Sequence, residues 1–531
     1  MKKWTEIKFE DLTAEQKISM VTCAQFDPWN RNPEGDEFIY NCIRNRCLGM
    51  VWVYPSTPDF DEIMAKIKEI ADYPLLIVTD AETGMGEYQI GFHNAVGMTD
   101  SEELAYAFGK TTAVTAHQMG YNVVCNPLLD MVKGASIVSM NKRTLGADKH
   151  RVAKLAAAIA QGMHDSGVLT VGKHYPSAEA DALIDSHMAE TCSSATVEDL
   201  LDYYLYPYLE LMKEGLLDGM MTGHCRLPNI DPDYPASLSK KVINVIRDQG
   251  FDGFAITDGL SMMGIVSKFG DTDVKGLAIE NGNDIALVGG RNYKKMWDCV
   301  YGAYQKGILS DERLDAATKR VLEAQHKLML LQPKYTELTQ ADKDAIERIH
   351  KDSVFVKRDN EEGPILSRDG KHLFVVLVPN EAQRTEKQLV IDTFSVSWYE
   401  PEKVMARLKE LFPNSDVHPI CQFPIPTNMQ NTLRKAVNYD DVVLVTFMEG
   451  KAYSGREEFT PPIISLAEAM QVSGMISTSV HFGNPFALEG LPHIPNVVVG
   501  TAAKKAVMAT LEVLAGNYPA KGSLTASVNF K

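Results

Sequence analysis

Hydrophobic and polar positions follow a repeating order over the first 330 residues of this chain. Short apolar runs with the composition of buried strands alternate with longer stretches of helical periodicity. The apolar runs occupy residues 49–54, 75–79, 121–125, 168–171, 218–222, 253–257 and 284–288. Strands that alternate with helices predict parallel βαβ units, and most of these runs end directly before polar residues, as barrel strands do. The pattern therefore predicts an α/β fold with a (β/α)8-like TIM barrel, one of whose strands is not recognisable.

The pattern changes after residue 330. Residues 331–366 are charged and irregular, with a helical stretch near 341–356 and a loop at 359–364. Apolar runs return at 372–378, 441–446, 475–480 and 496–500, separated by helical segments such as 502–515. A chain of 531 residues is too long for one hydrophobic core. We therefore expect a barrel domain at 1–330, a linker at 331–366 and a C-terminal α/β layered domain at 367–531.

Composition narrows the possible partners. The 70 acidic residues outnumber the 53 basic ones and give a net charge of −17, which argues against nucleic acid and favours a small neutral substrate. The N-terminus lacks the apolar segment of a signal peptide, and no long apolar stretch occurs elsewhere, so we expect a cytoplasmic protein without a membrane partner. The eight cysteines are scattered without zinc-ligand spacing, which predicts reduced thiols and no metal.

Polar and charged side chains stand where several predicted strands end. The run at 253–257 stops at Asp258, which is how a barrel strand delivers a reactive group to the mouth of the barrel. An aspartate at such a junction also caps the following helix in many proteins, and this alternative stays open. Other strands end at Asp80, at Asn126 and Asp130, at Lys173 and His174, and at His224. Such side chains suit a ligand rich in hydroxyl groups, because each hydroxyl both donates and accepts hydrogen bonds.

Each of these side chains also has a purely structural interpretation. Asp130 could pair with Arg143 to brace two loops, and His224 could be a buried histidine satisfied by the protein. The triplet 185–187, Asp-Ser-His, could be a loop turn with an incidental histidine. Their joint occurrence at one end of the predicted barrel favours a functional site over several unrelated structural roles.

Several motifs in this arrangement indicate a family. Examples are Lys-His-Tyr-Pro at 173–176, Asp-Ser-His at 185–187 and Ile-Thr-Asp-Gly-Leu-Ser-Met at 256–262. Through these stretches, and through 126–130, 142–148, 228–232, 236–239 and 307–314, the chain resembles glycoside hydrolase family 3, in the branch of bacterial β-N-acetylglucosaminidases, or β-hexosaminidases. Residues 482–485 and 521–524 resemble the second domain of that family.

The resemblance implies a retaining exo-β-glycosidase that works by double displacement without a cofactor. Asp258 would attack the anomeric carbon, and His187, oriented by Asp185, would be the acid/base in place of a second carboxylate. The physical chemistry agrees, because an aspartate stays ionised at the pH where a histidine beside a carboxylate keeps its proton. By the same resemblance, sugar hydroxyls would be bound by Asp80, Arg143, Lys173 and His174, with His224 as a further candidate.

Three departures from the family pattern bear on the substrate. Where the family usually carries Lys-His-Phe-Pro-Gly-His-Gly, this chain reads Lys-His-Tyr-Pro-Ser-Ala-Glu from Lys173. The usual Asp-Gln-Glu-Gly-Gly is Asp-Ala-Glu-Thr-Gly from Asp80, and Gly259 follows Asp258 where the branch typically has a second aspartate. These differences leave the identity of the sugar more open than the type of reaction.

The substrate class that we expect is a small glycoside containing N-acetylglucosamine. Alternatives are a β-glucosidase or another β-glycosidase of the family, a β-N-acetylglucosaminide phosphorylase, and a non-catalytic sugar-binding protein. A metal-dependent barrel hydrolase is a further alternative, but the sequence has no tight ligand pattern such as His-x-His. The sequence does not specify the oligomeric state.

Overall fold

A computed structural model describes residues 4–29, 31–132, 143–178, 186–289, 292–379, 383–384, 389–390, 398–448 and 458–531. Asp185, one of the predicted catalytic residues, lies outside the described residues. The other candidate residues lie within them.

Parallel strands form a barrel in the first part of the chain. The strands of this part are β1 (Thr22–Gln25), β2 (Met50–Trp52), β3 (Leu76–Asp80), β4 (Val123–Cys125), β5 (Leu169–Tyr175), β6 (Thr191–Cys192), β7 (Gly219–Thr222), β8 (Cys225–Arg226), β9 (Phe254–Thr257) and β10 (Ala286–Leu287). Eight of them form one sheet in the order β10-β1-β2-β3-β4-β5-β7-β9, and β6 pairs with β8. A parallel bridge between Ile256 and Ile285 joins the two ends of the sheet. The predicted TIM-barrel class is therefore confirmed.

Helices follow most barrel strands. They are α1 (Ala14–Met20), α2 (Pro33–Arg44), α3 (Phe60–Ile70), α4 (His93–Thr99), α5 (Glu102–Gln118), α6 (Lys149–Asp165), α7 (Val197–Asp199), α8 (Tyr206–Lys213), α9 (Lys240–Arg247), α10 (Met263–Phe269), α11 (Val274–Glu280), α12 (Tyr293–Gln305) and α13 (Asp311–Leu330). Asp148 caps α6, because its carboxylate accepts hydrogen bonds from the backbone of His150 and Arg151 at 2.9 Å.

Two apolar layers lie on either side of the barrel wall. Side chains such as Met50, Trp52 and Phe254 fill the interior of the barrel, whereas Val51 and Ala255 pack outward against the helices. This alternation is the two-residue period of a strand buried on both faces. The interior is consequently closed, and a ligand site can form only where the strands end.

A second sheet occupies the C-terminal part of the chain. Its strands are β11 (Phe355–Arg358), β12 (His372–Val378), β15 (Asp416–Cys421), β16 (Asp441–Met448), β17 (Ile476–Gly483) and β18 (Asn496–Gly500), and a separate pair consists of β13 (Gln383–Arg384) and β14 (Leu389–Val390). The sheet order is β11-β18-β17-β16-β12-β15, parallel except where β11 meets β18. Helix α14 (Gln340–Asp352) packs between the barrel and this sheet, with its apolar side chains in the barrel core. The helices of the second sheet are α15 (Pro401–Leu411), α16 (Pro426–Ala436), α17 (Pro461–Val472) and α18 (Lys504–Leu514).

The C-terminal segment returns to the barrel. The backbone amide of Ala147 donates to the carbonyl of Thr525 at 2.8 Å, and Arg151 donates to the hydroxyl of Ser523 at 2.8 Å. Because β11 pairs with β18, part of the stretch predicted as a linker belongs to the second sheet. The division at residues 330 and 366 stays a proposal. No described helix has both the length and the apolar composition needed to cross a membrane.

Candidate active site

The polar side chains singled out by the sequence meet at one end of the barrel. Asp80 is the last residue of β3, Lys173 and His174 lie near the end of β5, and Asp258 directly follows β9. Because the strands of the barrel are parallel, these carboxyl ends all lie on the same rim. The fold thus brings together residues that are far apart in the sequence.

The backbone and side chain of Asp258 are both held at this rim. Its amide donates to the carbonyl of Thr222 at 2.9 Å, which ties it to the neighbouring strand β7. Carboxylate oxygen Oδ1 accepts from the amide of Gly259 at 2.6 Å, and Oδ2 lies 3.9 Å from Nε2 of His174. The side chain remains 23% exposed at this rim.

The carboxyl group of Asp258 is strongly biased toward its ionised form. Burial by itself raises the pKa of a carboxyl group, because it removes solvation from the charge. The interactions of Asp258 with His174, His224 and His187 and with the amide of Gly259 oppose this effect, and they lower its pKa to about 2. At neutral pH the group is therefore an accessible carboxylate.

A compact ion-pair network lies beside Asp258. Lys173 Nζ lies 2.5 Å from an oxygen of Asp80 and 2.6 Å from one of Glu82, and Arg143 donates two hydrogen bonds to Glu82 at 2.8 and 2.6 Å. Burial of Glu82 would raise its pKa, but Arg143 and Lys173 outweigh that effect and hold the pKa well below its usual range. Glu82 is thus shared by two cations, whereas Asp80 is 40% exposed.

Asp130 and Arg143 do not form the pair that the sequence allowed as a structural alternative. Nδ1 of His174 lies 2.8 Å from Oδ2 of the buried Asp130, and the backbone amide of His174 donates to the same oxygen at 3.1 Å. Arg143 instead binds Glu82 and approaches Nε2 of His174 at 3.1 Å. Asp130 consequently fixes the orientation of the His174 ring, which stands between Arg143 and Asp258.

His224 is enclosed by the protein. Its Nδ1 lies 2.7 Å from the hydroxyl of Ser237, and its Nε2 lies 3.1 Å from the carbonyl of Gly259. Burial lowers the pKa of His224, although the neighbouring Asp258 opposes this shift. Both ring nitrogens are therefore engaged, and the imidazole supports the backbone immediately after Asp258.

The segment that carries His187 is anchored on the helix that follows Asp258. The amide of Gly264 in α10 donates to the carbonyl of Ser186 at 3.1 Å, and Lys268 of the same helix lies 3.6 Å from Glu190. A Cβ atom at Gly264 would lie 2.6 Å from the Ser186 carbonyl, so only glycine permits this close approach. His187, half-buried, is thereby placed at the mouth of the barrel.

His187 also belongs electrostatically to the site. It is among the groups that lower the pKa of Asp258, and it contributes to the lowered pKa of His224. The structure therefore places His187 within electrostatic range of Asp258, and its role as the acid/base stays a prediction. The contact with Asp185 stays a prediction, because Asp185 lies outside the described residues.

Two residues of the site were missed by the sequence analysis. Glu82 carries the network just described, and the available signal was a second carboxylate two residues beyond Asp80, in the turn that follows β3. Tyr54 follows β2, and burial together with the negative charges of Asp80 and Asp258 raises the pKa of its hydroxyl. The apolar run at 49–54 ended on this tyrosine, which was the signal for it.

Gly259 leaves space beside Asp258. Among the described residues, a Cβ atom at this position would meet only Met262, at 3.7 Å from Cγ and 3.8 Å from Sδ, which is ordinary van der Waals contact. The glycine is therefore required neither by packing nor by a positive φ angle. In the part of the chain that the structure describes, no group of three or more His, Cys, Asp and Glu side chains is arranged to hold a metal ion.

Known proteins share both the sequence and the fold. Residues 56–324 match the profile of the glycosyl hydrolase family 3 N-terminal domain. The β-hexosaminidase of Idiomarina loihiensis is 28% identical over 248 residues, covering 44% of this chain and 73% of the relative. The β-hexosaminidase of Hydrogenovibrio crunogenus is 30% identical over 250 residues, covering 44% of this chain and 69% of the relative.

Solved structures match nearly the whole chain. A family 3 β-N-acetylglucosaminidase from a Paenibacillus species has a TM-score of 0.80 at 24% identity, covering 98% of this chain and 100% of that one. The β-glucoside phosphorylase BglX has a TM-score of 0.79 at 21% identity, with 98% and 94% covered. A β-glucosidase from Listeria innocua has a TM-score of 0.73 at 18% identity, with 98% and 75% covered. At these identities the three structures establish the fold alone.

Proposed function

The chain belongs to glycosyl hydrolase family 3 and is a glycoside hydrolase that acts on carbohydrates, and from that premise we propose that it is a retaining exo-β-N-acetylglucosaminidase for small glycosides. One observation carries the mechanism: an accessible carboxylate, Asp258, lies near His187 at the mouth of the barrel. The β-hexosaminidase names of its relatives support the sugar specificity. The rest of the proposal concerns the roles of the individual residues.

Asp258 is proposed as the nucleophile. Its lowered pKa keeps it ionised, and Gly259 binds Oδ1, which leaves Oδ2 to attack. Attack of this oxygen on the anomeric carbon breaks the glycosidic bond and forms a glycosyl-aspartate. Water then attacks the anomeric carbon from the face that the leaving group vacated, opposite the aspartate. The C1–aspartate bond breaks with a second inversion, and the configuration of the sugar is retained.

His187 is proposed as the acid/base. As an imidazolium it gives a proton to the departing oxygen, and as a neutral imidazole it takes a proton from the attacking water. Asp185 would orient the ring and favour its protonated form. The anchoring of Ser186 on Gly264 explains how the neighbouring histidine is held close to a nucleophile on another strand.

The charged network is proposed to bind the sugar. Asp80 retains an exposed part of its carboxylate, Arg143 and Lys173 supply donors beside it, and the ring of His174, whose Nε2 accepts from Arg143, completes the group. Charged partners strengthen hydrogen bonds to hydroxyl groups, which favours a neutral, hydroxyl-rich ring in this position. Glu82 holds Arg143 and Lys173 in place, and His224 stabilises the backbone of Gly259.

The sugar specificity can be tested by one comparison. The purified protein is given 4-nitrophenyl β-N-acetylglucosaminide and 4-nitrophenyl β-glucoside, and kcat/KM is measured for each, with Asp258→Ala as the blank. We expect kcat/KM to be at least about tenfold higher for the N-acetylglucosaminide, because an enzyme specific for that sugar stabilises its transition state more strongly. Preference for the glucoside would replace this proposal with a β-glucosidase.

Phosphorolysis is a second candidate, favoured by the likeness to a β-glucoside phosphorylase. A deprotonated histidine is neutral, so it does not repel a phosphate that approaches the glycosyl-enzyme, whereas a second carboxylate would. Sugar 1-phosphate would then appear in phosphate buffer and be absent from a phosphate-free buffer of the same pH and ionic strength. Free sugar alone at high phosphate would leave hydrolysis as the reaction.

A cytoplasmic location belongs to the same proposal. A small, neutral glycoside is a substrate compatible with that compartment. Because the chain is acidic, we expect no affinity for nucleic acid. Cell fractionation with activity measured in each fraction would test it, and activity confined to the extracellular or envelope fraction would contradict it.

A further inference from the structure

Two exposed methionines flank the segment that carries His187. Met188 is 48% exposed and Met263 is 49% exposed. Their segments are pressed together, because a Cβ atom at Gly264 would lie 2.6 Å from the carbonyl of Ser186 and 2.9 Å from that of Ala189. Met188 lies between the two residues that approach Gly264, and Met263 directly precedes it. Isolated exposed apolar residues are common, but two on abutting segments at the mouth of a barrel form a local apolar surface.

On the same side of the mouth, the described residues leave space beside Gly259. Gly259 lacks a side chain next to Asp258, and Met262 is the described residue that a Cβ atom there would touch. The amide and carbonyl of Gly259 are held by Asp258 and His224, so the space is bounded by a fixed backbone. Met262 is a third methionine next to this position, but it is buried, with 7% of its surface exposed. Methionine is flexible and polarisable, which suits contact with apolar groups of differing shape.

The position of this surface relative to the acid decides what it would contact. An acid protonates the glycosidic oxygen, the atom that joins the sugar to the leaving group. Groups beyond the acid therefore face the leaving group, whereas the charged network around Lys173 and Glu82 faces the sugar. The two sides differ in chemistry, because the sugar side carries buried ion pairs, whereas the leaving-group side adds two exposed methionines beside the ion pair of Glu190 with Lys268.

We propose that Met188, Met262 and Met263, with the space beside Gly259, form a leaving-group subsite that accepts an apolar or aromatic aglycone. The inference rests on the proposed role of His187 and adds the chemical class of the group that the enzyme releases. The anchoring of Ser186 and Glu190 on α10 holds the subsite in a defined shape.

The test compares two aglycones of similar acidity and different apolar area. Wild type and the double variant Met188→Gln/Met263→Gln are given phenyl and 2-naphthyl β-N-acetylglucosaminides, and kcat/KM is measured. We expect the double variant to lose about tenfold on the naphthyl substrate and no more than about twofold on the phenyl substrate, because only the larger ring buries substantial apolar area. Equal losses on both substrates, or no loss on either, would overturn the inference.

A control removes a still more exposed apolar side chain elsewhere. Val472 ends α17 in the second sheet domain and is 84% exposed. Val472→Gln should leave the naphthyl-to-phenyl ratio of kcat/KM unchanged. Gly259→Ala adds one methyl group at van der Waals distance from Met262 and should lower the same ratio by narrowing the space. A ratio that changes in Val472→Gln would assign the effect to general surface polarity.

A second readout separates this subsite from the rest of the mechanism. After the glycosyl-enzyme has formed, the aglycone has left, so the double variant should hydrolyse that intermediate at the wild-type rate. The rate is measured as the steady-state turnover of a dinitrophenyl glycoside that follows the initial burst of released dinitrophenol.

If glucosides prove to be the better substrates, phenyl and 2-naphthyl β-glucosides replace the N-acetylglucosaminides in the same test. Failure of the sugar assignment then appears in the sugar preference, and failure of the subsite appears in the aglycone preference.

Discussion

Both ends of the barrel carry carboxylates surrounded by cations. The two ends differ in whether the carboxylate oxygens remain accessible to a ligand. At the base, Asp284 is fully buried, and Arg247, Arg313 and Arg320 approach its oxygens at 2.7, 2.7 and 3.2 Å. The amide of Ala255 donates to it at 2.9 Å. Both oxygens are therefore satisfied by the protein, and the charge serves the closure of the barrel.

At the mouth, the described residues bond the carboxylate oxygens only in part. Asp258 has one oxygen on Gly259, while the other lies 3.9 Å from the nearest ring nitrogen of His174, which is beyond hydrogen-bonding distance. Asp80 likewise keeps an exposed face beside Lys173. The same residue types thus stabilise the fold at one end and leave accessible charge at the other. The comparison predicts loss of activity from changes at the mouth and loss of stability from changes at the base.

The largest effect is expected from Asp258→Ala. Removal of the proposed nucleophile prevents the covalent intermediate, so kcat/KM should fall by at least about 10³-fold, or about 4 kcal/mol of transition-state stabilisation. The thermal unfolding midpoint should change less than in Asp284→Ala, because the protein bonds the carboxylate of Asp258 less completely than that of Asp284. Activity within about tenfold of wild type would show that Asp258 is not the nucleophile.

Asp284→Ala should do the opposite. It leaves three arginines near a buried site without their counter-charge, which should lower the free energy of unfolding by about 3–5 kcal/mol. The folded fraction should keep its kcat/KM, since Asp284 lies at the other end of the barrel from the proposed site. Denaturant unfolding and kinetics on the same sample measure both quantities. A large loss of kcat/KM at unchanged stability would contradict the division between base and mouth.

His187→Ala should show an effect that depends on the leaving group. A poorly activated substrate needs the proton, so its rate should fall by roughly 10²-fold or more, while a dinitrophenyl glycoside needs none. Turnover of the dinitrophenyl glycoside should stall at the glycosyl-enzyme, and azide should restore it and give a β-glycosyl azide of retained configuration. Equal losses on both substrates without an azide product would reduce His187 to a binding role.

The smallest effect concerns pH and the stability of the native protein. The pKa of Asp258 is about 2 in the folded chain, below the ordinary value of an aspartate, so ionisation of this group favours the native state. That contribution is present above about pH 4 and disappears as the pH falls toward 2. Asp258→Asn should therefore differ less from wild type in unfolding midpoint at pH 2.5 than at pH 6. A difference that grows on acidification would reverse the assigned direction of the pKa shift.

Sequence periodicity predicted most of the barrel and the layered second sheet. The apolar runs at 75–79 and 253–257 correspond to β3 and β9. The first strand, Thr22–Gln25, was missed because Thr-Cys-Ala-Gln contains only one β-branched residue and forms no apolar run. The local pattern of apolar residues shows which positions of a helix or strand are buried. That information is enough to predict the class of the fold.

The sequence by itself determined which residue types stand at the strand ends, including Asp258, Lys173 and His174, and it identified the family. Only the tertiary structure decided how those charges pair. Arg143 binds Glu82 and leaves Asp130 to His174, because the strand ends that become neighbours in a closed barrel are separated by tens of residues in the chain. The same packing decides which carboxylates remain accessible. A carboxylate is neutralised only by groups that lie within a few ångströms of it, and these groups can come from any part of the sequence.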